Sequence, residues 1–182
     1  MNDLDKRRYP VGPLPRNSAP LDARARAELL SVFEQTPATI RGLVERLSDA
    51  ELETPYRPGG WTIRQVVHHV PDSHLNAYVR MKLAVTEEAP LVKTYEEGRW
   101  AELPEAKMGP IAMSLELLEA LHRRWVAFLR SLPEADFRKA FTHPEWRRVT
   151  VDDALGMYAW HCRHHTAHIR LAIEDATRAR NR

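Results

Sequence analysis

The stretch WHCRHHTAHI, Trp160 to Ile169, places four of the chain's nine histidines within eight consecutive positions. His161 and His165 stand four residues apart, so on a helix their imidazoles project from successive turns toward one point. That geometry lets one helix offer two nitrogen ligands to a divalent ion. Two histidines alone make a weak site, and a third ligand must come from another element. His68 and His69, in VVHHV, are the available source.

A helical wheel ranks these residues. Leu155, Tyr158, Cys162, Ile169 and Ile173 define the apolar face of the last helix. Measured from its centre, His165 lies roughly 55° away and His161 roughly 95°, against roughly 115° for His168 and 155° for His164. On the earlier helix, centred on Ile63, Val66, Val67, Val70 and Ala77, His69 lies roughly 105° away and His68 roughly 155°. His165, His161 and His69 are therefore the inward candidates, while His68, His164 and His168 read as solvated. Histidine pairs at this spacing also occur as core-edge residues bonded to carbonyls, and that alternative stays open. His122 and His143 have nothing beside them that resembles a site and read as surface. Cys162 reads as a small core residue. Asp72 and His74 fit either a supporting role beside the ligands or plain helix surface.

The elements that must position these groups are helices. Apolar residues from Leu29 to Leu47 recur at helical spacing in a segment spanning 21–47, which Pro37 should kink or split. After PYRPGG, Thr62 and Gln65 form a capping-box pattern heading a second helix to about Thr86, with Pro71 in its interior. Residues 87–111 lack a sustained period and read as a long connection with one short helix near 96–103. A third helix, 112–132, stops at Pro133. A short hairpin around 141–151 is the one strand signal, and Thr150 with Asp153 can cap a fourth helix running to about Ala176. Residues 1–20 hold four prolines and read as an extended N-terminal strap, leaving 21–182 as a single domain. Four amphipathic helices with long connections predict an all-α four-helix bundle.

Composition narrows the function. The chain has 182 residues and a formal charge of +2 from 27 basic and 25 acidic side chains, a near balance that does not suggest a nucleic-acid partner. No apolar run approaches a membrane span or the h-region of a signal peptide, and no glycine-rich phosphate loop is present. The single cysteine excludes an intrachain disulfide and suits a reducing compartment, so a cytoplasmic location is expected.

YPVG near the start, TPYRPGGWTIRQVVHHVPDSHLNAYVRMKLAVTEEAP, LHRRW and ALGMYAWHCRHHTAHI together resemble the DinB superfamily. Within it they resemble the YfiT-like metal-dependent hydrolases, which are related to bacillithiol transferases. The likeness runs over nearly the whole chain. It implies an up-down-down-up four-helix bundle, usually a homodimer, with one divalent metal held by three histidines. Residue by residue, the triad falls on His69, His161 and His165. Pro71, between HHV and DSH, departs from the family pattern.

Three neutral imidazoles would leave a coordination position open, as in catalytic rather than structural zinc sites. Zinc is the expected ion and nickel the alternative. A metal that lowers the pKa of a bound water to about 7 supports hydrolysis of a small-molecule substrate. The same position could instead deprotonate a low-molecular-weight thiol for transfer to an electrophile. A third reading is a metal that only stabilises a dimeric scaffold, which would call for a fourth protein ligand. No HExxH glutamate supplies a general base. Asp72 is the weak candidate for that role, and Arg163 or Arg80 for holding an anionic substrate.

Overall fold

The computed structural model describes residues 3–15 and 19–180. Ten α-helices and strands follow in order, with a 3₁₀ turn at Glu134–Arg138 between the seventh helix and the first strand: α1 (Asp3–Arg8), α2 (Ala23–Val44), α3 (Asp49–Leu52), α4 (Ile63–Thr86), α5 (Glu97–Trp100), α6 (Pro104–Met108), α7 (Ile111–Ser131), β1 (Ala140–His143), β2 (Arg147–Thr150) and α8 (Val151–Arg180). The four long helices, α2, α4, α7 and α8, form a four-helix bundle.

Both α2 and α4 pack against α7 and α8. Helices adjacent in sequence, α2 and α4, thus sit diagonally, as do α7 and α8. Direction follows from two core clusters. One joins Ile40 and Val44 late in α2, Ile63 to Val70 early in α4, Leu115 and Leu118 early in α7, and Ile169 and Ala172 late in α8. The other joins Leu30 and Phe33 with Met81 and Ala84, Trp125 and Leu129, and Val151 to Ala159. With α2 pointing up, α4 and α7 run down and α8 runs up. A long crossover between α4 and α7 is what this order demands.

Local chemistry sets the boundaries. Thr62 and Gln65 form the reciprocal capping box at the head of α4, and Ser48 with Glu51 forms another at α3. Thr150 and Asp153 cap α8 in the same manner, each accepting from the other's backbone N–H. Neither internal proline splits its helix: α2 runs through Pro37 and α4 through Pro71. The buried Arg26 fixes the start of α2 to that of α8 through two bonds to Asp152, at 2.8 and 3.1 Å.

Two segments differ from expectation. Residues 3–8 are helical where an extended strap is expected, and α8 continues to Arg180. The segment after α1 lies on α8, where Trp160 donates its indole N–H to the Gly12 carbonyl at 3.2 Å. Connection 87–96 is laid along β1 by Val92 and Thr142, which hold it over the bundle.

Candidate metal centre

α4 and α8 bring His69, His161 and His165 to one point, with a ligand atom of each within 4.8 Å of the others. The ring centroids are 5.4 Å apart for His69 and His161, 4.8 Å for His69 and His165, and 4.3 Å for His161 and His165. A tetrahedral zinc with bonds of about 2.0–2.1 Å needs its nitrogens about 3.3–3.4 Å apart, so the rings need close by no more than about 1.5 Å. Burial lowers all three pKa values, His69 to about 4 and the other two well below the usual imidazole range, with neighbouring histidines adding to the effect. All three are neutral at pH 7, the state that ligates metal. The donor set fits a divalent ion of the zinc or nickel type.

A buried chain of hydrogen bonds fixes which nitrogen of His161 is free. Pro37 has no N–H, so the carbonyl of Phe33, four residues earlier in α2, lacks its helical donor. His122 of α7 donates Nδ1–H to that carbonyl at 2.7 Å. Burial holds His122 neutral, with its pKa down at about 4, so its Nε2 can only accept. The donor is His74 Nδ1–H, 2.7 Å away. His74 is completely buried and likewise held neutral by that burial, so its own Nε2 accepts from His161 Nδ1–H at 3.0 Å. The lone pair of His161 is thereby confined to Nε2, which the Ser73 hydroxyl approaches to 3.4 Å.

His165 repeats the arrangement with longer contacts. His168 Nε2 lies 3.4 Å from the Arg8 carbonyl, and His168 Nδ1 lies 3.5 Å from His165 Nδ1. A carbonyl can only accept, so the proton sits on His168 Nε2 and the lone pair of His165 on its own Nε2. Metal-binding histidines are commonly oriented through their second nitrogen in this way.

The triad lies on the wall of a cavity of about 590 Å³, bounded by α4, α8, the N-terminal segment, the 56–61 loop, the 94–98 connection and the hairpin. Trp61 packs on His69 with centroids 4.6 Å apart. Arg80 lines the cavity and donates to the Lys93 carbonyl at 2.7 Å. Tyr95 and Tyr158 stand beside it and beside Ser73. Burial raises both phenols, Tyr95 to about 12, and both remain protonated donors at neutral pH.

The solvated readings of His68, His164, His168, His122 and His143 need correction, whereas Cys162 sits in the core as expected. Asp72 is not among the cavity-lining residues: it is half-buried near Glu105 of α6, where burial and then that carboxylate raise its pKa to about 6. Arg163 is exposed and also lies outside the cavity wall. His68, expected in solvent, is buried and bonds Ser114 Oγ at 2.7 Å, because α6 and α7 cover that face of α4. His164 and His168 are buried by the N-terminal segment and Tyr56, and His122 and His143 by the bundle core and the hairpin. Cys162 is buried, with its thiol pushed up to about 12 by desolvation. It groups with His74 and His122 rather than the triad, and both nitrogens of each of those rings are already in hydrogen bonds.

Sequence reasoning missed Ser73, His122, Tyr95 and Tyr158. Ser73 was findable, being four residues beyond His69 on the same face of α4. Tyr158, three residues before His161, carried the same signal on α8.

The DinB superfamily model matches residues 32–169. A Bacillus cereus (strain 03BB102) relative, provisionally named a metal-dependent hydrolase, is 48% identical over 169 residues, covering 93% of this chain and 95% of its own. The YfiT protein of Bacillus subtilis (strain 168), under the same provisional name, is 45% identical over 163 residues, covering 88% and 90% of the two chains. A solved structure of YfiT from Bacillus subtilis, described as a probable metal-dependent hydrolase with an unusual four-helix bundle topology, superposes with a TM-score of 0.91 at 41% identity, covering 94% of this chain and 98% of that one. A second four-helix bundle protein shares the fold alone, at 21% identity and a TM-score of 0.55 over 80% of this chain and 98% of that one. With the family model spanning most of the bundle and relatives at nearly half identity over almost their full length, this chain belongs to the DinB superfamily.

Proposed function

We propose that this protein is a metal-dependent hydrolase of small molecules, with one divalent ion, zinc in the first instance, held by Nε2 of His161, Nε2 of His165 and one nitrogen of His69. The observation that carries the reading is the convergence of three neutral imidazoles on a cavity wall, two of them with the lone pair aimed by a neighbouring histidine. A metal there would supply a polarising charge and an activated water. The chain's own groups do the rest. Burial keeps the imidazoles unprotonated and available. Trp61 and the N-terminal segment exclude bulk water from one side. Ser73, Tyr95 and Tyr158 offer hydroxyl donors for a developing oxyanion, and the Arg80 guanidinium adds charge to the same flank.

No fourth cysteine, histidine or carboxylate joins the triad among the described residues, which favours an open catalytic site over a closed scaffold. Transfer of a low-molecular-weight thiol is the second reading. The two carboxylates lining the cavity, Glu97 and Glu145, are exposed, and thiol transfer needs no buried carboxylate base. A homodimer and a cytoplasmic setting belong to the same proposal, the latter supported by a single buried cysteine. Among the described residues, no helix is long and apolar enough to cross a membrane.

The test is metal content of untagged protein by elemental mass spectrometry, beside His69→Ala, His161→Ala and His165→Ala. Near one ion per chain, lost in all three variants, is expected. Metal-loaded protein is then given esters, amides and electrophiles with and without small thiols. Cleavage without thiol supports hydrolysis, whereas turnover only with thiol selects the second reading. A parent that takes up no metal on reconstitution overturns both.

A further inference from the structure

Among the described residues, two buried side-chain nitrogens lack any hydrogen-bond partner, Arg57 Nε and His164 Nδ1, and both residues line the cavity that holds the triad. Burying such a group unpaired is costly, so two on one wall call for a ligand that satisfies them. They belong to one continuous patch. The Arg57 guanidinium carbon lies 5.4 Å from the Tyr56 ring centre, Tyr56 stacks on His168 at 3.8 Å, and His168 meets His164 edge-on at 4.2 Å. His164 is 8% exposed and stacks on Trp160 at 4.2 Å, which leaves its ring little freedom to turn away.

The chemistry of the patch is cationic. Arg57 Nη1 is engaged by the Pro58 carbonyl at 3.1 Å, which leaves the Nε and Nη2 edge, the one that takes a carboxylate through two parallel bonds. Arg8 adds a second guanidinium to this side of the cavity, while Glu97 and Glu145 come from the connection and hairpin beside Arg80. The loop is built for close approach: a Cβ on Gly60 would come within 2.8 Å of Arg57 Cγ and 3.2 Å of its carbonyl oxygen.

The geometry points to a second subsite, formed by Arg57 and His164, that binds a carboxylate of the substrate while the reacting end of the same molecule reaches the triad. The inference rests on the proposed function only for what happens at the far end; binding of the carboxylate requires no metal. The substrate class is accordingly small molecules with a carboxylate at one end.

Metal-free protein labelled with ¹⁵N-arginine is titrated with malonate, and with uncharged malonamide at matched ionic strength, following the Arg57 Nε–H resonance assigned through Arg57→Lys. A saturable shift with malonate alone is expected, with affinity at least about tenfold weaker in His164→Ala, the loss of one charge-assisted bond. The titration is repeated in His161→Ala, where malonate should bind as in the parent. That arm separates the two ideas: malonate binding in a chain that takes up no metal leaves the subsite standing, and a metal-binding chain that ignores malonate removes it. A shift equal with malonamide, no saturation, or unchanged affinity in His164→Ala overturns the proposal, and the first two outcomes need no variant to fold.

Discussion

Replacing His122 by Phe severs the chain from Phe33 to His161 while nearly conserving core volume. In the parent, the Phe33 carbonyl accepts from His122 and His122 accepts from His74, each at 2.7 Å. In His122→Phe the Phe33 carbonyl loses its donor, because Pro37 cannot replace it. His74 then gains by moving its proton to Nε2 and donating to His161 Nδ1, which places the His161 proton on Nε2, the atom proposed to hold the ion. Binding metal must reverse this shift and strand the His74 Nδ1–H in the core, at a cost of about 1–3 kcal/mol. Zinc affinity should fall about 10- to 100-fold, in line with the loss of partners behind metal-binding histidines. The orphaned carbonyl costs a similar amount in stability without metal, about 2–12 °C in melting temperature for a chain of this length. Competition against a chromophoric chelator gives the affinity, and thermal unfolding of metal-free protein gives the stability. His122→Gln, which keeps one donor and one acceptor, should recover most of the affinity. If His122→Phe folds and binds zinc within about twofold of the parent, the tautomer argument is wrong even though the triad stands.

Three other outcomes follow from burial. Lowered histidine pKa values mean the unfolded chain binds more protons than the folded one below pH 6.5, so stability rises with pH in that range. Metal-free protein should lose melting temperature steadily from pH 6.5 down to about 4, where His69, His122 and His164 titrate when folded, with a slope above one proton; a flat profile would refute the neutral cluster. Cys162, buried with its thiol near 12, should resist a disulfide reagent in native protein at pH 8 and react fully in denaturant; rapid native labelling would show that α8 opens there. Arg26→Met removes both guanidinium bonds of the buried Asp152, which keeps the Leu21 N–H, and should cost about 3–5 kcal/mol in denaturant unfolding, whereas an exposed pair such as Arg24 with Glu28 should cost under about 1.

The bundle and the triad were legible in the sequence because both depend on period. Apolar residues at helical spacing marked α2, α4, α7 and α8, and the i, i+4 pair on α8 marked two candidate ligands regardless of what lay opposite. The capping pairs Thr62 with Gln65 and Thr150 with Asp153 are local chemistry and were equally readable. Burial of the other histidines was not. A wheel drawn for one helix assumes that everything away from the apolar face meets water. His68, His164 and His168 lie away from that face yet are covered by α6 and α7, by Tyr9 and by Tyr56, segments distant in sequence.

Pro37 and His122 show why the supporting structure stayed hidden. Pro37 reads in sequence as a helix breaker, and the structural consequence is smaller and more specific: one carbonyl freed inside an intact helix. That carbonyl acquires a role only because α7 lies against α2 with His122 at the matching turn, 89 positions along the chain. α2 and α4 sit diagonally across the bundle, with α7 packed against both. α7 is the helix able to receive a bond from α4 at His74 and pass it to α2, so the crossover topology is itself part of what orients His161. A bundle with α2 and α4 adjacent would hold the same three imidazoles and lose this anchor.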